Sequence, residues 1–151
     1  MLGAINSEAG EALGQMYVDV AFPPEAKAQM EVLVGNLGTA LKTRIEQLSW
    51  MSDDTRQKAL AKWETFTPKV GYPDKWRAWR GLRTSRDSYL DNVQTAETFN
   101  YKWDLGKIGK PVDKTEWGMT PQTVNAYYNA QTNQITFPAA ILQPPFFDPN
   151  A

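Results

Sequence analysis

Apolar positions in the first two thirds of the chain recur at three- and four-residue steps, the spacing that lines up side chains on one face of an α-helix. Leu13, Met16, Tyr17 and Val20 mark a first stripe, and Asn6 or Ser7 can cap a helix from Glu8 to about Val20. Pro23-Pro24 interrupts the pattern. A proline in the first turn suits the helix that follows, because no amide donor is missed there. Met30, Leu33, Leu37, Leu41, Ile45 and Leu48 form the longest stripe. Gly35 and Gly38 weaken that helix by roughly 1 kcal/mol each relative to alanine, so tertiary packing must hold it. Ser52-Asp53-Asp54 predicts a third helix start, with a serine cap and two acids where the orphan amides and the positive dipole end favour them. Leu60, Trp63 and Phe66 supply its apolar side, and Pro68 ends it. Val70 to Arg83 reads as a loop. A fourth helix is expected from Thr84 or Ser85, using Tyr89, Val93, Phe99 and Trp103, until Gly106, Gly109 and Pro111 stop it.

The period then changes from helical to alternating. Thr123 to Asn129 places Val124, Ala126 and Tyr128 on one side and Asn125, Tyr127 and Asn129 on the other. Ala130-Gln131-Thr132 predicts a turn, and Asn133 to Phe137 returns as a second strand. The expected class is thus mainly α with a short C-terminal β-hairpin. An isolated hairpin is marginal in water, so this one must lean on something larger. Near the C-terminus, Pro144, Pro145, Phe146 and Phe147 bring bulky apolar groups with little chain left to cover them.

Composition narrows the chemistry. The 151 residues contain no cysteine and no histidine, which removes thiol nucleophiles, cysteine-ligated zinc and any imidazole base. Sixteen Lys and Arg against 17 Asp and Glu give a net charge of −1, far from the basic excess of a nucleic-acid binder. A hydrophobic share of 42% with 12% aromatics fits a packed, ordered chain. No apolar run approaches the ~20 residues of a membrane-spanning helix. The first ten residues hold one acid and no base, so no signal peptide is recognised; either the chain is not exported or its natural start lies upstream of Met1. Lack of cysteine says nothing about compartment.

Few residues invite a catalytic reading. Asp53 and Asp54 are adjacent carboxylates, yet neighbouring positions on a helix do not face each other, and a helix start accounts for both. Trp76-Arg77-Ala78-Trp79-Arg80 mixes aromatics with base and could stack on nucleotides or anchor at a membrane. The plainer expectation is a loop whose tryptophans pack on helices and whose arginines face water. Serine and threonine nucleophiles have no histidine base and no G-x-S-x-G elbow, and a serine–lysine dyad stays open. The hairpin has two readings. It is a structural ribbon, or an exposed edge that pairs with an extended peptide through its main chain.

Specific blocks tilt that choice. Val124-Asn125-Ala126-Tyr127-Tyr128, then Asn133-Gln134-Ile135, Phe137-Pro138-Ala139 and Ile141-Leu142-Gln143-Pro144-Pro145-Phe146-Phe147, closely resemble the neprilysin and endothelin-converting-enzyme family of zinc metallopeptidases, bacterial oligopeptidases included. Ala12-Leu13-Gly14, Tyr17-Val18, Leu48-Ser49-Trp50-Met51, Lys58-Ala59-Leu60, Lys62, Gly71-Tyr72-Pro73 and Glu116-Trp117 agree in order, so the likeness spans nearly the whole chain. The resemblance implies a segment of a two-domain, thermolysin-like metallopeptidase that hydrolyses small peptides. Residues 1–89 would end the multi-helical capping domain, and residues 90–151 would start the catalytic domain. In the family, the V-N-A-[FY]-Y strand lies along the cleft and aligns substrate. Carried over, Asn125 would bond the substrate backbone through its side chain and Ala126 through its carbonyl. Zinc belongs to the parent enzyme. Its H-E-x-x-H helix and later E-x-x-D glutamate follow the I-L-Q-P-P-F-F block, and no histidine is present here. The chain alone is therefore expected to bind no metal and to be inactive, with a truncation before the zinc helix. An oligopeptide is the implied partner of the parent, and an exported or periplasmic location follows only by analogy with bacterial relatives. The alternative is a short non-catalytic helical peptide-binding or scaffold protein.

Overall fold

The computed structural model describes residues 2–149. Among these described residues, four helices and three strands follow one another as α1 (Leu2–Ala21), α2 (Pro24–Gln47), α3 (Asp53–Glu64), β1 (Thr67–Gly71), α4 (Tyr89–Leu105), β2 (Tyr127–Asn129) and β3 (Gln134–Pro138). The chain is mainly helical, with one small sheet.

Helix boundaries follow their caps. Ser52 accepts a hydrogen bond from the Thr55 amide at 3.3 Å, and Asp53 and Asp54 occupy the first turn of α3, as expected. Helix α4 starts later than the sequence pattern suggests. Ser88 caps it, accepting from the Asp91 amide, while the Asn92 side chain bonds both the amide and the carbonyl of Ser85 and holds that residue in a loop. Helix α1 starts earlier, at Leu2, and bends at Ala9, whose φ of −135° leaves the helical range. The Asn100 side chain of α4 donates to the Glu8 carbonyl beside this kink.

The stripes chosen from hydrophobicity share only Met30 with the buried faces. Helix α1 buries Gly10, Gly14 and Val18, whereas Met16 and Val20 are 68% and 90% exposed. Helix α2 buries Ala26, Met30 and Val34, and leaves Leu33, Leu37 and Leu41 exposed. Glycines let α1 approach its neighbour closely, an interaction that a count of apolar side chains does not register. The core joins Val18, Phe22, Ala26, Met30, Val34, Val70, Ala139 and Leu142. Phe22 is its centre: a Cβ on Gly71 would lie 2.5 Å from the ring, and Gly71 has φ +76°, so both space and backbone require glycine there. Tyr72 meets Phe22 edge-on and stacks on Trp76. Phe147 packs against this core, while Phe146 stays exposed.

The hairpin acquires a third strand. The sheet order is β1-β3-β2, with β1 parallel to β3 (Thr67 opposite Gln134) and β2 antiparallel to it (Tyr127 opposite Thr136). The segment around Pro68 and Val70 is therefore strand and not helix end and loop. Proline is tolerated in β1 because this is an edge strand. The first hairpin strand is shorter than its alternation suggests, beginning at Tyr127 and not at Thr123.

Candidate functional site

Asn125 and Ala126 are both exposed and directly precede β2. They are not strand residues, and a local turn explains this. The Asn125 amide donates to the Thr123 carbonyl at 3.0 Å, and the Ala126 amide donates to Asn125 Oδ1 at 2.8 Å. An asparagine that closes onto its neighbour's amide diverts the backbone from a ladder. Its Oδ1 is engaged, so the Nδ2 amino group is what Asn125 offers to a ligand.

Two anchors fix the approach to this turn. Upstream, Pro121 and Gln122 sit on the glycine face of α1: Gln122 Nε2 donates to Asn6 Oδ1 at 2.7 Å and to the Gly10 carbonyl at 2.9 Å. The Ala140 amide donates to the Pro121 carbonyl, joining this stretch to the chain after β3. Downstream, Asn129 Oδ1 accepts from the Gln131 and Thr132 amides and closes the hairpin turn. Asn133 sits at φ +53°, a left-handed position that asparagine tolerates, and its Nδ2 donates to the Lys62 carbonyl and to Thr65 Oγ1. The hairpin is thereby fastened to the C-terminal end of α3. Strand β2 is the outer strand of the sheet, and among the described residues no strand pairs with its far side.

The other candidates settle into structural roles. Asp53 pairs with Arg56 and Asp54 with Lys58, each at 2.7 Å on the exposed surface of α3. Trp76 and Trp79 pack as expected, Trp79 stacking on Phe99 of α4. Arg77 departs from the expectation. Its guanidinium lies among the rings of Trp79, Phe99 and Trp103 at 4.5, 5.2 and 4.6 Å, and its amide donates to Glu11. Desolvation there lowers its pKa, opposed by the charges of Glu11, Asp104 and Glu116.

The residues of this chain do not fit a zinc ion. Histidine and cysteine are absent from the sequence, and among the described residues no group of three or more acidic side chains converges. Structural and catalytic zinc sites require three or four such ligands. Also among the described residues, no helix is long and apolar enough to cross a membrane.

Comparison with known proteins identifies this architecture. Two models of Peptidase family M13 match, one over residues 1–73 and the other over residues 125–151, which begins at Asn125. An endothelin-converting enzyme homolog of Locusta migratoria is 39% identical over 95% of this chain and 21% of its own length. Neprilysin-3 of Drosophila melanogaster is 38% identical over 96% of this chain and 19% of its own. The open state of a Mycobacterium tuberculosis zinc metalloprotease superposes with a TM-score of 0.92 at 52% identity, covering 99% of this chain and 23% of that one. The chain spans about a fifth of the length of the curated relatives it matches. With both models drawn from one family and the relatives aligned over nearly all its residues, the chain belongs to peptidase family M13, the neprilysin-like metallopeptidases.

Proposed function

We propose that this chain is the substrate-aligning segment of a zinc metalloendopeptidase that hydrolyses small peptides, with the zinc ligands supplied by residues outside it. The observation that carries the reading is the exposed Asn125-Ala126 pair at the entrance to the outer strand β2. An extended peptide laid along such an edge gains main-chain hydrogen bonds that do not depend on its sequence. Asn125 Nδ2 and the Ala126 carbonyl then offer one donor and one acceptor to the substrate backbone. In this reading, residues 1–89 end a helical capping domain and residues 90–151 begin the catalytic one. Exposed apolar stripes on α1 and α2 (Val20 at 90%, Leu37 at 62%) support a role inside a larger body, because such faces on a free-standing protein favour association.

The test is Asn125→Ala in the full-length, zinc-loaded peptidase that carries this segment. Losing one or two backbone-directed hydrogen bonds should lower kcat/KM for peptides by about ten- to a hundredfold, or ~1–3 kcal/mol, at unchanged zinc content. Kinetics equal to wild type would remove this role for Asn125.

A further inference from the structure

Residues 113–118 form a strap held against one face of the sheet by a side chain from each strand. Lys69 Nζ of β1 donates to the Glu116 carbonyl at 2.7 Å, and Gln134 Nε2 of β3 donates to the Lys114 carbonyl at 2.9 Å. Tyr127 Oη of β2 accepts from the Gly118 amide at 2.7 Å. Every second residue of the strap is gripped, and the three gripping residues share one face. Lys69 and Tyr127 both lie opposite Thr136, with Gln134 two positions away on the same strand. At the start of the strap, Asp113 Oδ1 accepts from both the amide and the hydroxyl of Thr115. It is also tied to the end of α4 through Lys107, which pairs with Glu116 at 3.0 Å and Asp104 at 3.1 Å.

Tyr127 immediately follows Ala126, so its hydroxyl fixes the outer strand next to the proposed ligand-bonding groups. Gly118 lies close over the same ring: a Cβ there would sit 3.2 Å from Tyr127 Oη. Tyr128 on the opposite face makes a different bond, donating to Asn133 Oδ1 within the hairpin. Without the Tyr127–Gly118 contact, the turn of residues 123–126 keeps its upstream anchor at Pro121 and Gln122 and the downstream pairing of β2 with β3, but loses the side-chain tie from Tyr127 to the strap. From this geometry we infer that Tyr127 is a positioning residue: clamped to the strap at Gly118, it presets Asn125 and Ala126 for an incoming peptide backbone. The inference rests on the substrate-aligning role proposed above. It assigns to the strap what that role requires, a main-chain edge whose geometry is fixed before substrate arrives, so that less ordering is needed on binding.

The experiment is a double-mutant cycle of Tyr127→Phe and Asn125→Ala in the full-length zinc-loaded peptidase, with peptide kinetics, zinc content and thermal midpoint measured for each. Phenylalanine keeps the ring packing and removes only the hydroxyl that accepts from the Gly118 amide. Tyr127→Phe alone is expected to raise KM about fivefold with kcat nearly unchanged, as loss of one neutral hydrogen bond would. In the Asn125→Ala background the same change should cost about twofold or less, because only the Ala126 carbonyl is left for it to position. A penalty of equal size in both backgrounds, or none in either, at normal zinc content and midpoint, overturns the positioning role while leaving Asn125 in place. An inert Asn125→Ala instead overturns the substrate-aligning reading, and the present inference with it.

Discussion

Gly14 of α1 and Pro121 are in such close contact that a Cβ at position 14 would lie 2.6 Å from Pro121 Cδ and 2.7 Å from the Gln122 amide oxygen. Real carbon atoms do not approach so near, so α1 and the stretch leading to Asn125 can meet only through glycine. Gly14→Ala should therefore destabilise the chain despite alanine's better helix propensity. Overpacking of this kind costs about 1–3 kcal/mol, and the propensity gain offsets at most ~1 of it. A lower urea midpoint at unchanged slope is the expected result; an unchanged midpoint would mean that the proline moves aside freely.

The same substitution should have the opposite sign in α2. A Cβ on Gly35 meets nothing within 4 Å among the described residues, and no left-handed backbone angle demands glycine there. Gly35→Ala removes backbone freedom from the unfolded chain without a clash, and should stabilise by roughly 0.4–1 kcal/mol. Urea unfolding of the two variants side by side makes the contrast sharp. A Gly35→Ala protein less stable than wild type would show that this face of α2 has a neighbour.

Thr136 is fully buried at the centre of the sheet, and among the described residues its Oγ1 has no hydrogen-bond partner. A buried hydroxyl left unpaired costs free energy that an isosteric methyl does not. Thr136→Val should raise the stability of the chain by about 1 kcal/mol, read as a midpoint increase of about 2–4 °C for a protein of this size. A drop in midpoint would reveal a partner for the hydroxyl, such as a bridging water.

How much of this was legible depends on whether the signal is local. The Ser52 cap, the Pro23-Pro24 break and the hairpin turn at Ala130-Gln131-Thr132 are written in adjacent residues, and each appears where the sequence places it. Strand β1 is not local: Thr-Pro-Lys-Val-Gly carries two breakers and becomes a strand because β3 offers it an edge in parallel register. The buried faces of α1 and α2 were obscured because close packing through Gly10 and Gly14 adds no hydrophobicity, while Leu33, Leu37 and Leu41 add much and stay exposed. Asn125 and Ala126 came from a motif and not from periodicity, which placed them inside a strand. The side chain of Asn125 closes a turn on the Ala126 amide, and the ladder begins at Tyr127 and not at Thr123. The strap at residues 113–118 has no periodic signature at all. Its hydrogen bonds use main-chain groups, which sequence does not distinguish.

The strap also makes stability depend on pH through Lys69. Burial lowers the pKa of this ammonium below 10.5, partly opposed by the negative charges of Asp113 and Glu116. A lysine whose folded pKa is depressed binds its proton more tightly when unfolded. Its charge therefore opposes folding below the folded pKa, and that opposition is relieved as pH rises towards the unfolded value. Lys69→Met carries no such titration. The stability difference between wild type and Lys69→Met should thus shift in favour of wild type between neutral pH and pH 10.5. Denaturant unfolding of both proteins across that range measures it, and the difference between them cancels the titration of every other group. Parallel curves would mean that Lys69 is as well solvated in the folded protein as in the unfolded one. A shift favouring the variant would mean that Asp113 and Glu116 outweigh burial, and that the strap holds Lys69 by charge as well as by its hydrogen bond to Glu116.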